Sequence, residues 1–156
     1  MIEMNIPGRG KVQIDYLVCD VNGTLAVDGV LLPGVISMLK KIKDTLQVFL
    51  ITANTHGKQG RINEELGIEA VLIQKNEEKE QKRKFISSLG SERVIAIGQG
   101  ANDAGMLKDA AIGICVQSEE GTAATAIMAA DILVKDTITA LQLIQHPMRL
   151  VATLRE

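Results

Sequence analysis

The sequence predicts an α/β fold built on a central parallel sheet, and three observations carry that expectation. Short runs that are apolar on both faces recur along the chain, among them Leu17-Val18-Cys19, Phe49-Leu50-Ile51 and Val94-Ile95-Ala96-Ile97. Strands of this kind belong inside a sheet covered on both sides. Segments with helical spacing separate them, and strands alternating with helices define a parallel arrangement. The first main strand also delivers a carboxylate, Asp20, into a tight turn at Gly23-Thr24. Ligands of open α/β sheets bind at the edge where the strands end.

The elements follow in order. Residues 1–12, with Pro7-Gly8-Arg9-Gly10, read as a short N-terminal extension ending in a turn, an edge strand or hairpin ahead of the main sheet. The first main strand spans about 13–20. Residues 23–32 carry Asp28-Gly29 between apolar residues, a hairpin signal, and predict a small flap beside Asp20. Pro33-Gly34 opens a helix with Val35, Met38, Leu39, Ile42 and Leu46 at helical spacing, and 47–53 is the second strand. Helix 58–66 stops at Gly67, and strand 70–73 follows.

The charged stretch after it places Glu77, Glu78 and Glu80 before Lys82, Arg83 and Lys84. That order suits the helix dipole and predicts a helix over 77–89. Phe85, Ile86 and Leu89 mark its buried face, and Lys82 lies on the same face nearer the N-terminal end. Strand 94–97 runs into Gly98-Gln99-Gly100-Ala101-Asn102-Asp103, and a short helix covers 104–110. Strand 112–116, helix 121–130, strand 131–134 and helix 136–145 complete the alternation. Residues 146–156, interrupted by Pro147, read as a C-terminal tail or last helical turn.

Composition bounds the function. The chain has 156 residues, enough for one domain over 1–156 that buries ~70% of its unfolded surface. Lys and Arg number 17 against 19 Asp and Glu, and the aromatics are Tyr16, Phe49 and Phe85. Lacking a basic footprint and stacking platforms, the chain is not expected to bind nucleic acid. Cys19 and Cys115 lie in apolar runs and read as core thiols of a reducing compartment, since a carboxylate next to Cys19 opposes a thiolate. Met1 to Gly10 contains Glu3 and lacks an apolar leader core, and no apolar run reaches the ~20 residues of a membrane span. A cytoplasmic protein without membrane partners is therefore expected.

Right-handed crossovers bring four side chains to one sheet edge: Asp20, Thr52, Lys82 and Asp103. Each alone has an ordinary reading, as a turn residue, a strand-end hydroxyl, a snorkelling cation and a helix cap. Together they supply a nucleophilic carboxylate, a hydroxyl donor, a fixed cation and a second carboxylate. Phosphoryl transfer through an aspartyl phosphate with Mg²⁺ needs that set.

These stretches, Asp-Val-Asn-Gly-Thr-Leu at 20–25, Leu-Ile-Thr at 50–52, Lys82 and Gly-Gln-Gly-Ala-Asn-Asp at 98–103, resemble the four motifs of the haloacid dehalogenase-like superfamily. The resemblance covers roughly 13–135. Through Ala-Gly-Met-Leu-Lys-Asp-Ala-Ala-Ile-Gly-Ile it is similar to the phosphorylation domain of P-type ATPases. It implies a Rossmann-like three-layer sandwich, with Asp20 as nucleophile and Mg²⁺ ligand and the backbone carbonyl of Asn22 on the metal. Thr52 and Lys82 would hold the phosphoryl oxygens, and Asp103 would orient metal-bound water. Lys79, one turn earlier, and Lys75 are alternatives to Lys82.

Two positions depart from the family's phosphatases, which carry Asp where this chain has Asn22, as general acid and base, and where it has Gln99, as metal ligand. An amide neither protonates a leaving alkoxide nor activates water, and it brings no charge to a hard cation. The resemblance therefore implies a Mg²⁺-dependent phosphatase or phosphotransferase of weakened turnover, acting on a small phosphorylated molecule. The alternative is a degenerate relative that binds a phospho-ligand or protein partner. A receiver-type signalling domain lacks its acidic pair at Cys19-Asp20, and dinucleotide binding at Gly98-Gln-Gly100 fails because Asp103 takes the third glycine position. Asp20 to Thr52 spans 32 positions and Thr52 to Lys82 spans 30, which leaves no room for a cap domain. Capless relatives often close their sites with a neighbouring subunit, so a homo-oligomer is expected.

Overall fold

The computed structural model describes residues 1–54 and 57–156. The chain starts with an antiparallel hairpin, β1 (Ile2–Ile6) and β2 (Gly10–Ile14), in which Ile2 pairs with Ile14 and Ile6 with Gly10. This hairpin is a sheet of its own and adds no strand to the main one. The strand expected over 13–20 is consequently two: β2 ends at Ile14, and β3 (Tyr16–Asp20) begins after Asp15. The backbone of Asp15 bonds Arg93 O and Gln47 N, and its carboxylate accepts from Arg93 at 2.5 Å, which fixes the crossing point between the two sheets.

After β3 comes the flap, β4 (Ala26–Val27) and β5 (Val30–Leu31). Its tip residues Asp28 and Gly29 have φ of 51° and 76°, the left-handed pair that an Asp-Gly hairpin turn requires. Then follow α1 (Val35–Ile42), β6 (Gln47–Thr52), α2 (Gln59–Leu66), β7 (Val71–Leu72) and α3 (Glu78–Leu89). Next are β8 (Val94–Gly98), a 3-10 turn at Ala101–Asp103, α4 (Ala104–Asp109) and β9 (Ile112–Val116). The chain closes with α5 (Ala124–Ala129), β10 (Ile132–Val134), α6 (Thr137–Gln145) and α7 (Pro147–Leu154).

Two further expected elements differ. The helix expected over 121–130 is shorter because Gly121 has a φ of 90° and the Thr122 hydroxyl is committed to Val116 O and Ser118 N. Residues 146–156 are mostly the helix α7: Pro147 occupies its first turn, where no N–H is needed, and buries Leu150 and Leu154 against the β1 side of the hairpin.

The six main strands run in the order β10-β9-β8-β3-β6-β7, all parallel. Pleating sorts their residues into two layers of core. Leu17, Cys19, Leu50, Ile95 and Ile97 face α1, α2 and α6, whereas Val18, Ile51 and Ala96 face α3, α4 and α5. The result is a three-layer α/β sandwich with β3 in the middle. Among the described residues no domain is inserted between β3 and β8 beyond the flap, the three helices α1, α2 and α3, the strands β6 and β7 and a 3-10 turn at Ser91–Arg93. No helix among them is long and apolar enough to cross a membrane.

Candidate active site

Because β6 and β8 flank β3 in parallel, their C-terminal ends bring Thr52, Asp20 and the Gly98–Asp103 turn side by side. Lys82 reaches them from the first half of α3. Its Nζ donates to Asp20 Oδ1 at 2.6 Å and to Asp103 Oδ1 at 2.7 Å, with only 1% of the residue exposed. Lys79 and Lys75 are exposed, and Lys79 instead borders a separate depression with Arg83 and Lys108. The cation at this edge is therefore Lys82.

Asp103 is fixed on its other side too: its Oδ2 accepts the backbone N–H groups of Gln99 and Gly100 at 3.0 and 2.9 Å. Position 98 must be glycine for this, since a Cβ there would lie 2.6 Å from Asp103 Cγ. The second oxygen of Asp20 accepts the Thr24 hydroxyl at 3.0 Å, and the carbonyl of Thr24 is held in turn by the Thr137 hydroxyl. Thr24 is a site residue that the motif contains but that the sequence reading left as part of the turn; its signal was a hydroxyl four positions after the carboxylate.

Thr52 Oγ1 accepts from Asn22 Nδ2 at 3.0 Å and from the Asn54 backbone N–H at 3.0 Å, and its own hydrogen has no acceptor among the described residues. Asn22 thus spans the site as a strut. The side-chain nitrogen of Gln99 lies over Gly23, where a Cβ would come within 1.9 Å of it. Asp20, Asn22, Thr52, Lys82, Gln99 and Asp103 all border one edge.

Two carboxylates share one cation in a water-poor site. Burial, and then the charge of Asp103, outweigh Lys82 and Thr24 and push the Asp20 carboxyl up to about 7. For Lys82 burial works toward neutrality, but the charges of Asp20 and Asp103 prevail and hold the ammonium above its ordinary range. Burial also pushes the Cys115 thiol up to about 11, and it raises Cys19 further with help from Asp20. Both thiols are inert neighbours of the site.

The fold and this edge define a hydrolase-type α/β protein whose chemistry is gathered where a capless parallel sheet ends. The chain belongs to the haloacid dehalogenase-like hydrolase family, whose sequence profile matches residues 5–111. It is 43% identical over 83 residues to an uncharacterized protein of Methanocaldococcus jannaschii, covering 51% of this chain and 89% of that one. It is 34% identical over 133 residues to a copper-transporting ATPase of Oryza sativa subsp. japonica, covering 80% of this chain and 13% of the ATPase. Among solved structures it resembles the 3-deoxy-D-manno-octulosonate 8-phosphate phosphatase of Moraxella catarrhalis, with a TM-score of 0.64 at 16% identity over 91% of this chain and 94% of that one.

Proposed function

We propose that the protein is a Mg²⁺-dependent phosphatase or phosphotransferase that works through an aspartyl phosphate at Asp20, with turnover weakened by Asn22 and Gln99. The observation that carries this reading is the Lys82 ammonium between Asp20 and Asp103, beside the Thr52 hydroxyl. An oxygen of Asp20 attacks phosphorus, the phosphorus–oxygen bond of the ester breaks, and the leaving alkoxide takes its proton from solvent water, since Asn22 has none to give. Water then cleaves the acyl phosphate, which releases inorganic phosphate and restores the carboxylate. Thr52 and Lys82 hold the phosphoryl oxygens throughout, and Asp103 keeps Lys82 in place through the turn that binds its other oxygen.

Hard oxygens from Asp20, the Asn22 carbonyl and Gln99 would hold Mg²⁺, with water and substrate phosphate completing its shell. Asp103, its Oδ2 already accepting two N–H groups, would orient water on the ion. Bound there, Mg²⁺ would neutralise charge building on the phosphoryl oxygens. The structurally similar Moraxella catarrhalis phosphatase was crystallised with magnesium and phosphate ions, which supports the choice of metal. A cleft of about 300 Å³ beside Gly23, bordered by Leu32, Ser118, Glu119, Lys135 and Thr137, offers room for the leaving group of a small phosphorylated molecule.

A second reading, a binder of phospho-ligands or protein partners without turnover, is favoured by Asn22, whose amide is bound to Thr52 and carries no transferable proton. Beryllium fluoride with Mg²⁺, a mimic of the phosphorylated carboxylate, should raise the melting temperature of the native protein and leave Asp20→Ala unchanged. Equal shifts in both proteins rule out Asp20. A panel of phosphate esters with and without Mg²⁺ separates turnover from binding.

A further inference from the structure

Glu120 stands in the loop between β9 and α5, and its two oxygens serve two different elements of the site. Oε1 accepts the backbone N–H of Asp28, at the flap tip, at 2.8 Å. Oε2 ends over Gly23, where a Cβ would lie 2.9 Å from it and 1.9 Å from Gln99 Nε2. The carboxylate and the Gln99 amide therefore converge on the same glycine, one residue after Asn22. From the other flank Lys58 Nζ donates to Asp28 O at 3.2 Å, so the flap tip is held by charged side chains from both sides of the sheet edge.

The charges around Asp20 are two carboxylates and one ammonium, and Gln99 adds none. A divalent cation at that edge meets a net charge of only about one, less than hard cations favour. We propose that Glu120 supplies the negative charge that Gln99 lacks at the cation site, and that its other oxygen holds the flap above the same spot. Glu120 is thus a positioning residue that links cation binding to the flap. The inference rests on the Mg²⁺ site of the proposed function.

Calorimetric titration of the full chain with Mg²⁺ alone, at low ionic strength, tests it, with amide exchange at Asp28 as a second readout. Glu120→Gln keeps an acceptor oxygen for the Asp28 N–H but removes the charge. Its Kd should rise about tenfold, the effect of losing one unit charge beside a divalent ion, while Asp28 stays protected. Adding Gln99→Asp to Glu120→Gln moves the charge across Gly23 and should return the Kd to near the native value. Glu120→Ala should lose both affinity and protection. A native Kd in Glu120→Gln, or no recovery in the double variant, overturns the inference and leaves the Mg²⁺ reading standing. If the native protein shows no Mg²⁺ binding that Asp20→Asn abolishes, both fall together.

Discussion

Asp20 shares its one cation with Asp103, and that sharing sets how stability responds to pH. The native carboxyl keeps its proton up to about 7, whereas an unfolded aspartic acid releases it near about 3.9. Between those values the native state binds more protons than the unfolded chain, so this group's contribution to stability falls as pH rises. Urea unfolding at pH 5 and pH 8 should therefore show Asp20→Asn gaining stability relative to the native protein at the higher pH; a pH-independent difference contradicts the shared-cation picture. Asn22 makes the complementary prediction. Replacing it with Asp returns a general acid, an effect of ~10²–10⁴-fold, less whatever is lost with the Nδ2 bond to Thr52. Initial rates with an alkyl phosphate should rise more than with an aryl phosphate, whose leaving group scarcely needs the proton. A folded, Mg²⁺-bound Asn22→Asp that cleaves neither ester leaves the binding reading in front. The gathering of Asp20, Lys82 and Asp103 was legible because strand ends and one helix face are periodic signals. Glu120 was not, since a loop carboxylate 100 positions from Asp20 follows no period, and only the fold brings it over Gly23.

The hairpin and α7 show the same limit at the level of elements. Alternation of strand and helix announced the parallel sheet, because a strand buried on both faces has a pattern that few other structures share. The break at Asp15 left no such trace. Ile14 and Leu17 are both fully buried and apolar, and only the bonds from Asp15 to Arg93 and Gln47 reveal that the chain changes sheets between them. Pro147 likewise reads as an interruption until the helix it opens is seen. Since α7 and the hairpin bury Leu150, Leu154, Ile2, Met4 and Ile6 together, on the helix layer away from α3 and α4, their contribution is to stability. Leu150→Ala should cost about 2–5 kcal/mol, the range for a leucine truncated in a full core, measured by urea denaturation. The melting shift produced by beryllium fluoride and Mg²⁺ should survive in the same variant. Loss of that shift in a protein that still folds shows that α7 reaches the site energetically.

At the scale of the whole molecule, two apolar side chains stand exposed on elements next to the buried site at the sheet edge that carries Asp20. The flap there is two residues per strand, and its Val30 is 66% exposed; Leu72, opposite Thr52 in the pairing of β6 with β7, is 63% exposed. Scattered exposed apolar residues are ordinary, but a pair bordering a functional edge suits a surface covered by another molecule. We expect the cover to be a second copy of this chain, with each subunit closing the site of the next. Light scattering across micromolar concentrations should give a mass at least twice that of the chain. Val30→Asp combined with Leu72→Asp should return it to the monomer, because a carboxylate forced into an apolar contact loses its hydration without gaining a partner. The variant should keep its fold, since both positions are exposed, so circular dichroism must stay native while the mass falls. A native protein that is monomeric throughout, or an oligomer that the double variant leaves intact, places the contact elsewhere and leaves each site open to solvent.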